Sequence, residues 1–474
     1  MNLRIFNGVW QQIKNSNYKL TLTEVIELAK NKDVNVDSIK KVEFGFNSSN
    51  QAMLLSSNKR TALFPMVSPD DMQLYKRSKD GVKIVLDFWH KLDWFHPPYV
   101  SNGDLWDTLS YFDISIKNNS IESDSVLQER LGQALSSIYT VGLMVVINEQ
   151  IFTKTVAIKK HVPIIREAIL AFYSGMKVSA IAALIPIVEG ILSELIDEPS
   201  KKLSTPAKVD RVIDNAQKNI KNCFFSNANW VPNEYKDADR LIVLDERYRL
   251  LEMLRRWLKN SFYCDSDKYI NHSGFNRHSF AHARSQVWQN PSNFFRAMGL
   301  LQALAFIEAF SNKGRGVSIF IPESNKDTKA FHAEVLACVD MQAFKKVFLQ
   351  KYQLDNGLPY KETASDDGWL LRAAKLSETM NEIIIKKLRD AGWQCYEFTD
   401  PVEDGEYITI SAKKDERKIK VALVYSCATS NEIYRLLDNY CDYILYNGPH
   451  YHQSSYAYGV KAQVMPVNAW IAPA

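Results

Sequence analysis

Between Val126 and Phe310 the chain keeps one rhythm: apolar residues recur every three or four positions, segment after segment. "VLQERLGQALSSIYTVGLMVVINEQIF", "VPIIREAILAFYSGMKVSAIAALIPIVEGILSELI", "DERYRLLEMLRRWLKNSF" and "NPSNFFRAMGLLQALAFIEAF" all carry it. That spacing gathers the apolar side chains on one stripe of an α-helix, a stripe that must be buried against other helices. Pro291 and Ser292 mark a helix start before the last segment. The expectation is a bundle of four or five helices. One stretch, Val178 to Ile196, approaches the roughly 20 apolar residues of a bilayer span. Pro186, Glu189 and Glu194 interrupt it, and Glu189 near its middle would be costly in lipid. It reads as a buried helix, with no membrane partner.

The flanks keep a different rhythm. At 474 residues the chain has room for roughly three domains of about 150 residues each. Short β-like runs ("VEFGFNSS", "QAMLLSS", "TALFPMV"), polar turns and the aromatic cluster "DFWHKLDWFHPPYV" give residues 1–120 the look of a small α+β domain. "SIKNNSIESDS" (Ser115 to Ser125) reads as a linker, and "SNKGRG" (Ser311 to Gly316) ends the helical part. Residues 316–474 begin with a further helix, "KAFHAEVLACVDMQAFKKVFLQKY". A helix, a strand, a hairpin, a helix and a strand follow, an order that argues a compact α/β domain. The predicted fold class is therefore multidomain α+β. A central all-α bundle (121–315) is flanked by an N-terminal α+β domain (1–120) and a C-terminal α/β domain (316–474).

The formal charge of +4 is too small to demand or exclude a nucleic-acid partner. Six cysteines without a CxxC pair, and an N-terminus without a secretory apolar core, point to a reduced, cytoplasmic protein. The chain shows no phosphate-binding loop, dinucleotide fingerprint or hydrolase elbow.

Three of the nine histidines, His272, His278 and His282, fall in one short segment, "NHSGFNRHSFAH". Asn271, Ser273, Gly274 and Asn276 are turn and helix-start residues. A helix starting near Asn276 puts Arg277 in its first turn and sets His278 and His282 one turn apart on one face. Arg277 and His282 are five apart, about 140° around the axis, so only a long arginine side chain at a helix start can swing toward the histidine. The pair suits phosphodiester chemistry. A guanidinium clamps phosphate through two N–H donors, and an imidazole with an ordinary pKa of about 6.5 exchanges protons near neutrality. Together they can activate a ribose 2′-hydroxyl and stabilise charge growing on phosphate without a metal.

Arg277-His278-x3-His282 resembles the R-[N/D/H]-x3-H motif of the HEPN superfamily, whose helical bundles occur in toxins, antiviral defence effectors and RNA-processing factors. The resemblance covers about residues 126–315. It includes the preceding Asn276, the downstream apolar helix, and an upstream helix whose glutamate is matched by Glu189. Ala283 departs from the glycine common after the histidine. The resemblance implies a metal-independent endoribonuclease that cuts single-stranded RNA, working as a homodimer or higher oligomer with no cofactor. Arg277 would clamp phosphate, His282 serve as general acid or base, and His278 and Asn276 orient them. Glu189 would position a partner from the neighbouring helix. The flanking domains would gate the activity, with a regulatory partner engaging one of them.

Two rival readings stand beside this one. HEPN folds also serve as non-catalytic scaffolds or sensors that dimerise or bind nucleic acid. His278 and His282 also have a spacing zinc uses, with His272 or a distant carboxylate as a third ligand. Arg247, Arg249, Arg255 and Arg256 could form a basic face for RNA, but read more simply as a solvated face paired with Glu246 and Glu252. Phe88, Trp89, Trp94 and Phe95 could stack bases, but read more simply as core. "HYHQ" (His450, His452) is a weak metal signal. The C-terminal element order resembles a restriction-endonuclease-like fold with a degenerate metal site. Asp404 and Glu406 are its candidate acids, and no acid follows on "KIKVALVYS". Such a domain would sense or bind a partner.

Overall fold

The computed structural model describes residues 5–48, 50–116, 122–196, 202–282, 287–311, 316–356, 369–402, 405–448 and 456–473. Asp404, His450, His452 and Ala283 lie outside the described residues. The chain is mixed α+β, with two small sheets and a predominance of helix.

The N-terminal part opens with α1 (Ile5–Asn15), whose buried Phe6, Val9, Trp10 and Ile13 follow the helical stripe. Next comes α2 (Leu22–Lys30), begun by a Thr21/Glu24 capping box. Strands β1 (Ser38–Phe44), β2 (Asn50–Ser57) and β3 (Arg60–Pro65) form an antiparallel meander, with Lys41 opposite Met53 and Leu54 opposite Leu63. Phe64 packs within 6.2 Å of Phe6 and 5.3 Å of Trp230. Trp230 belongs to a distant stretch of sequence. Its carbonyl accepts from Leu63 N at 2.9 Å and its N–H donates to Thr61 O at 3.0 Å, so a segment of the helical part covers the free edge of β3.

The aromatic cluster expected as core is core. It lies on and just after a long helix, α3 (Gln73–Lys91), with Phe88, Trp89, Trp94 and Phe95 all buried. Trp94 stacks on Phe95 at 4.3 Å and meets Trp257 edge-on at 4.8 Å, so these rings are not available to bases. α3 packs on α11 (Ala238–Leu244) and α12 (Glu246–Trp257), while α4 (Asn102–Tyr111) packs on α5 (Asp124–Ile138).

Helices α6 (Val141–Val146), α7 (Val156–Lys159), α8 (Val162–Tyr173), α9 (Lys177–Glu194) and α10 (Thr205–Phe224) continue the helical body. α9 is one uninterrupted helix through Pro186. No single helix among the described residues is long and apolar enough to cross a membrane. After the short α13 (Arg277–Ala281), α14 (Ser292–Ala309) runs through the middle, buried from Ser292 to Glu308. A helix buried all round is held by packing rather than by propensity, at roughly 1.5–3 kcal/mol per large apolar side chain. At Gly299 an added Cβ would come within 2.3 Å of the Tyr139 hydroxyl, so α14 and the Trp94–Tyr139 pair can meet only over a glycine.

The expected helix beyond the break is α15 (Lys326–Asp355), which packs on α8 and α6. Then come α16 (Trp369–Thr379), a π-helical turn, α17 (Lys386–Asp390), β4 (Gln394–Phe398), β5 (Tyr407–Lys414) and β6 (Arg417–Val424). α18 (Asn431–Asp438) and β7 (Tyr443–Tyr446) follow, and β8 (Gln463–Pro466) is a strand the sequence did not announce. The order is β4-β5-β6-β7-β8, antiparallel through β6 and parallel beyond it.

Candidate functional site

The motif helix is short, and the surrounding core fixes it. Ahead of it, Asp93 at the end of α3 is buried, and its Oδ2 accepts from Tyr269 Oη at 3.1 Å and Ser273 Oγ at 3.0 Å. Burial pushes its carboxyl above the ordinary carboxylate range, opposed by the Arg296 guanidinium and by those hydroxyls. Arg296, equally buried on α14, donates to the Asp93 carbonyl at 3.0 Å. Gln128 of α5 accepts from His272 N at 2.9 Å, and Asn293 Nδ2 donates to Ser273 O at 2.7 Å. Gly274 sits at φ +63°, and a Cβ there would come within 2.6 Å of Val287, so this turn requires glycine.

Asn276 then starts α13. Its Oδ1 accepts from Ser279 N at 2.9 Å, as a helix N-cap should. Its Nδ2 donates to Ser261 O at 2.8 Å and Cys264 O at 2.9 Å, anchoring the motif to the turn that ends the α12 segment. Asn276 is buried and holds the site from behind.

Arg277 Nε donates to Glu189 Oε1 at 2.6 Å, and its Nη2 approaches Oε2 at 3.4 Å, so the expected glutamate on α9 does reach the motif. Arg277 Nη1 lies 3.5 Å from His278 Nδ1. The His278 and His282 rings are parallel, with centroids 6.4 Å apart. His278 is thus the neighbour of both Arg277 and His282, which helical geometry sets about 140° apart. α13 ends at His282, whose φ −106°, ψ 7° has left the helix. Phe280, on the inner side, packs edge-on to Trp288 at 4.9 Å.

Tyr263 was not foreseen. It is buried beside the ion pair, and burial, then the charge of Glu189, raises its hydroxyl pKa, with Arg277 opposing. Asp93 and Asn293 were also missed. Their only sequence signal is a polar residue set among aromatics, in "KLDWF" and "PSNFF".

The basic residues of α12 are committed elsewhere. Arg247 bonds Asp245 at 2.6 Å, and Arg255 reaches Asp214 at 2.7 Å, Asp210 at 3.1 Å and Glu252 at 3.0 Å. Arg256 pairs with Glu252 at 3.5 Å, while Arg249 donates to the Ile242 carbonyl at 3.0 Å. Glu252 is a partner as the simpler reading expects, whereas Asp245, Asp210, Asp214 and the Ile242 carbonyl take the place it gave to Glu246. Among the described residues no three His, Cys, Asp or Glu side chains converge to hold a metal, and His272 does not join the other two histidines. In the C-terminal sheet region, Glu406 accepts from Thr429 Oγ1 at 3.3 Å.

Comparison of the chain with protein-family models, with curated proteins and with solved structures finds no match in any of the three.

Proposed function

We propose that the protein is a HEPN-type, metal-independent endoribonuclease that cuts single-stranded RNA, acting as a cytoplasmic toxin or antiviral effector. The observation that carries this reading is the local grouping of four residues: Glu189 pairs with Arg277, His278 lies next to Arg277, and His282 stands one turn on at the end of a short helix that Asn276 anchors. In the reaction the ribose 2′-oxygen attacks the adjacent phosphorus and the 5′-oxygen bond breaks, leaving a 2′,3′-cyclic phosphate and a 5′-hydroxyl. His282 serves as the general acid or base for these proton transfers. Arg277 binds the non-bridging oxygens as their charge grows.

Glu189 sets the resting position of Arg277. Their side chains are 39% and 32% exposed, and an ion pair that open to water contributes about 0–1 kcal/mol. A phosphate can therefore take over the guanidinium at little cost. His278, between Arg277 and His282, keeps the two functions in register. Association of two copies would bring two such sets to one cleft, and the flanking domains would control access.

Purified protein is expected to cleave single-stranded RNA in EDTA and to leave a 2′-deoxy-substituted strand intact. Arg277→Ala and His282→Ala each abolish cleavage while the thermal transition stays unchanged. Retained cleavage in both variants removes the proposal.

A further inference from the structure

A large cavity lies away from the motif. It has a volume of about 850 Å³ and opens between the β1–β2 connection at Phe46 and Asn47, helices α3 and α4, and the α11–α12 corner. That volume lies within the range of small-molecule sites, roughly 300–1,000 Å³. Most of the wall is apolar, with Leu74, Val82 and Val85 of α3 facing Leu250 and Met253 of α12 and Trp106 at one end. A few polar groups converge on it. Arg77 and Arg249 bring two positive charges and Glu246 one negative.

His96 Nε2 lies 2.8 Å from Asn102 Oδ1, and Asn102 Nδ2 donates to Glu246 Oε1 at 2.9 Å. Because a carboxylate only accepts, this chain sets the amide orientation and puts the imidazole hydrogen on Nε2. Nδ1 is closed off from solvent, so His96 acts on the cavity through the Asn102–Glu246 chain that it holds in place. Burial lowers the His96 pKa and so favours the neutral ring.

From this cavity we infer an effector site for a small amphipathic anion with a flat apolar body against the α3 and α12 walls and its charge toward Arg77 and Arg249. The two long walls also lead to the motif. α3 runs on to Asp93, which holds Tyr269 and Ser273, and α12 runs on to Ser261 and Cys264, which hold Asn276. A ligand wedged between α3 and α12 therefore acts on both supports of α13. The binding half of this inference is independent of the nuclease reading; the regulatory half rests on it.

Gly81 supplies a clean test. It lines the cavity, and a Cβ built there meets nothing within 4 Å. Gly81→Phe brings a ring to the cavity wall from a position where the Cβ itself meets no neighbour, and losing a mid-helix glycine favours α3. Calorimetric titration of the full chain with 1-naphthyl phosphate, 2-naphthoate and neutral 2-naphthol is expected to show saturable one-to-one binding of both anions, absent in Gly81→Phe. Arg77→Ala should weaken the anions up to about five-fold, the reach of one exposed charge pair, and leave naphthol unaffected. Saturating 1-naphthyl phosphate should alter amide exchange across residues 258–282. No saturable binding of either anion, or equal binding by Gly81→Phe, overturns the site. Unchanged exchange across that segment in a saturated protein overturns the coupling. Both readouts are taken without RNA, so they stand or fall apart from the cleavage reading.

Discussion

Asn276 offers a sharp test of how the motif is held, because two substitutions separate its two jobs. As an N-cap it needs only a side-chain oxygen, and aspartate caps a helix as well as asparagine does. Its amide nitrogen, however, donates to the carbonyls of Ser261 and Cys264, at 2.8 and 2.9 Å, in a buried setting. Asn276→Asp keeps the cap and replaces that double donor with an oxygen facing two carbonyls. Each lost hydrogen bond removes about 1 kcal/mol net, and a buried group left unsatisfied costs about 1–3 kcal/mol. Asn276→Asp should therefore lose about 2–4 kcal/mol near neutral pH, close to Asn276→Ala, which loses cap and donors together. A protonated aspartate regains one donor, so its folded-state pKa is raised. Stability then returns as pH falls toward the ordinary aspartate value of about 3.9. Urea unfolding of both variants from pH 4 to 8 measures the loss, and amide exchange at Ser279 and Phe280 localises it. An Asn276→Asp protein within 0.5 kcal/mol of wild type at pH 7, by the ordinary scale of a surface change, refutes the donor argument and reduces Asn276 to a cap.

Gly299→Ala should cost about 1–3 kcal/mol by overpacking, since its Cβ meets the Tyr139 hydroxyl at 2.3 Å; a thermal transition equal to wild type counts against the close approach of α14 to Tyr139. Glu189→Gln should change stability by less than about 1 kcal/mol, because its pair with Arg277 is half-open to water. Under the proposed function it should change cleavage rate more than RNA affinity, and a stability loss above 2 kcal/mol would mark Glu189 as structural. Asp93 gives a pH test. Its carboxyl pKa is raised in the fold by burial, so its contribution is fully present below about pH 3.9 and is lost as pH rises through the raised native value. The penalty of Asp93→Asn should accordingly shrink between pH 4 and pH 8 in paired unfolding curves, and a penalty that grows with pH contradicts the assignment.

The elements written in local pattern were legible. α14 starts where Pro291 and Ser292 announce it, and the stretch Val178–Ile196 is a core helix up to Glu194, with Glu189 on its more open side. The β5–β6 hairpin fell where alternation and a polar turn put it. Less legible were elements whose evidence lies far away in sequence. α3 contains Gly81 and a run of β-branched and aromatic residues ("VKIVLDFW") that suits a strand as well as a helix. Its helical state is settled by α11 and α12, more than 140 residues on. β8 is four residues ending in proline, and it exists because β7 offers a parallel partner.

The site divides along the same line, and the division says what kind of site it is. Arg277, His278 and His282 were visible because their identity and spacing are local facts, and Glu189 because a family resemblance supplied it. What a six-residue motif cannot carry is its own support. Asp93 lies 184 positions before Arg277 by number, and Gln128 and Asn293 also reach the loop from other helices. A five-residue helix has too few internal hydrogen bonds to persist alone. Its geometry is inherited from the buried polar cluster behind it, where Asp93, Arg296, Asn276 and Asn293 converge on one loop. Buried polar groups that must all be satisfied together favour one loop conformation over its neighbours. The partly exposed His278, the exposed His282 and the loosely paired guanidinium are therefore free to exchange partners, while the backbone that presents them is not, a division of labour that under the proposed function suits a site taking up and releasing a charged polymer.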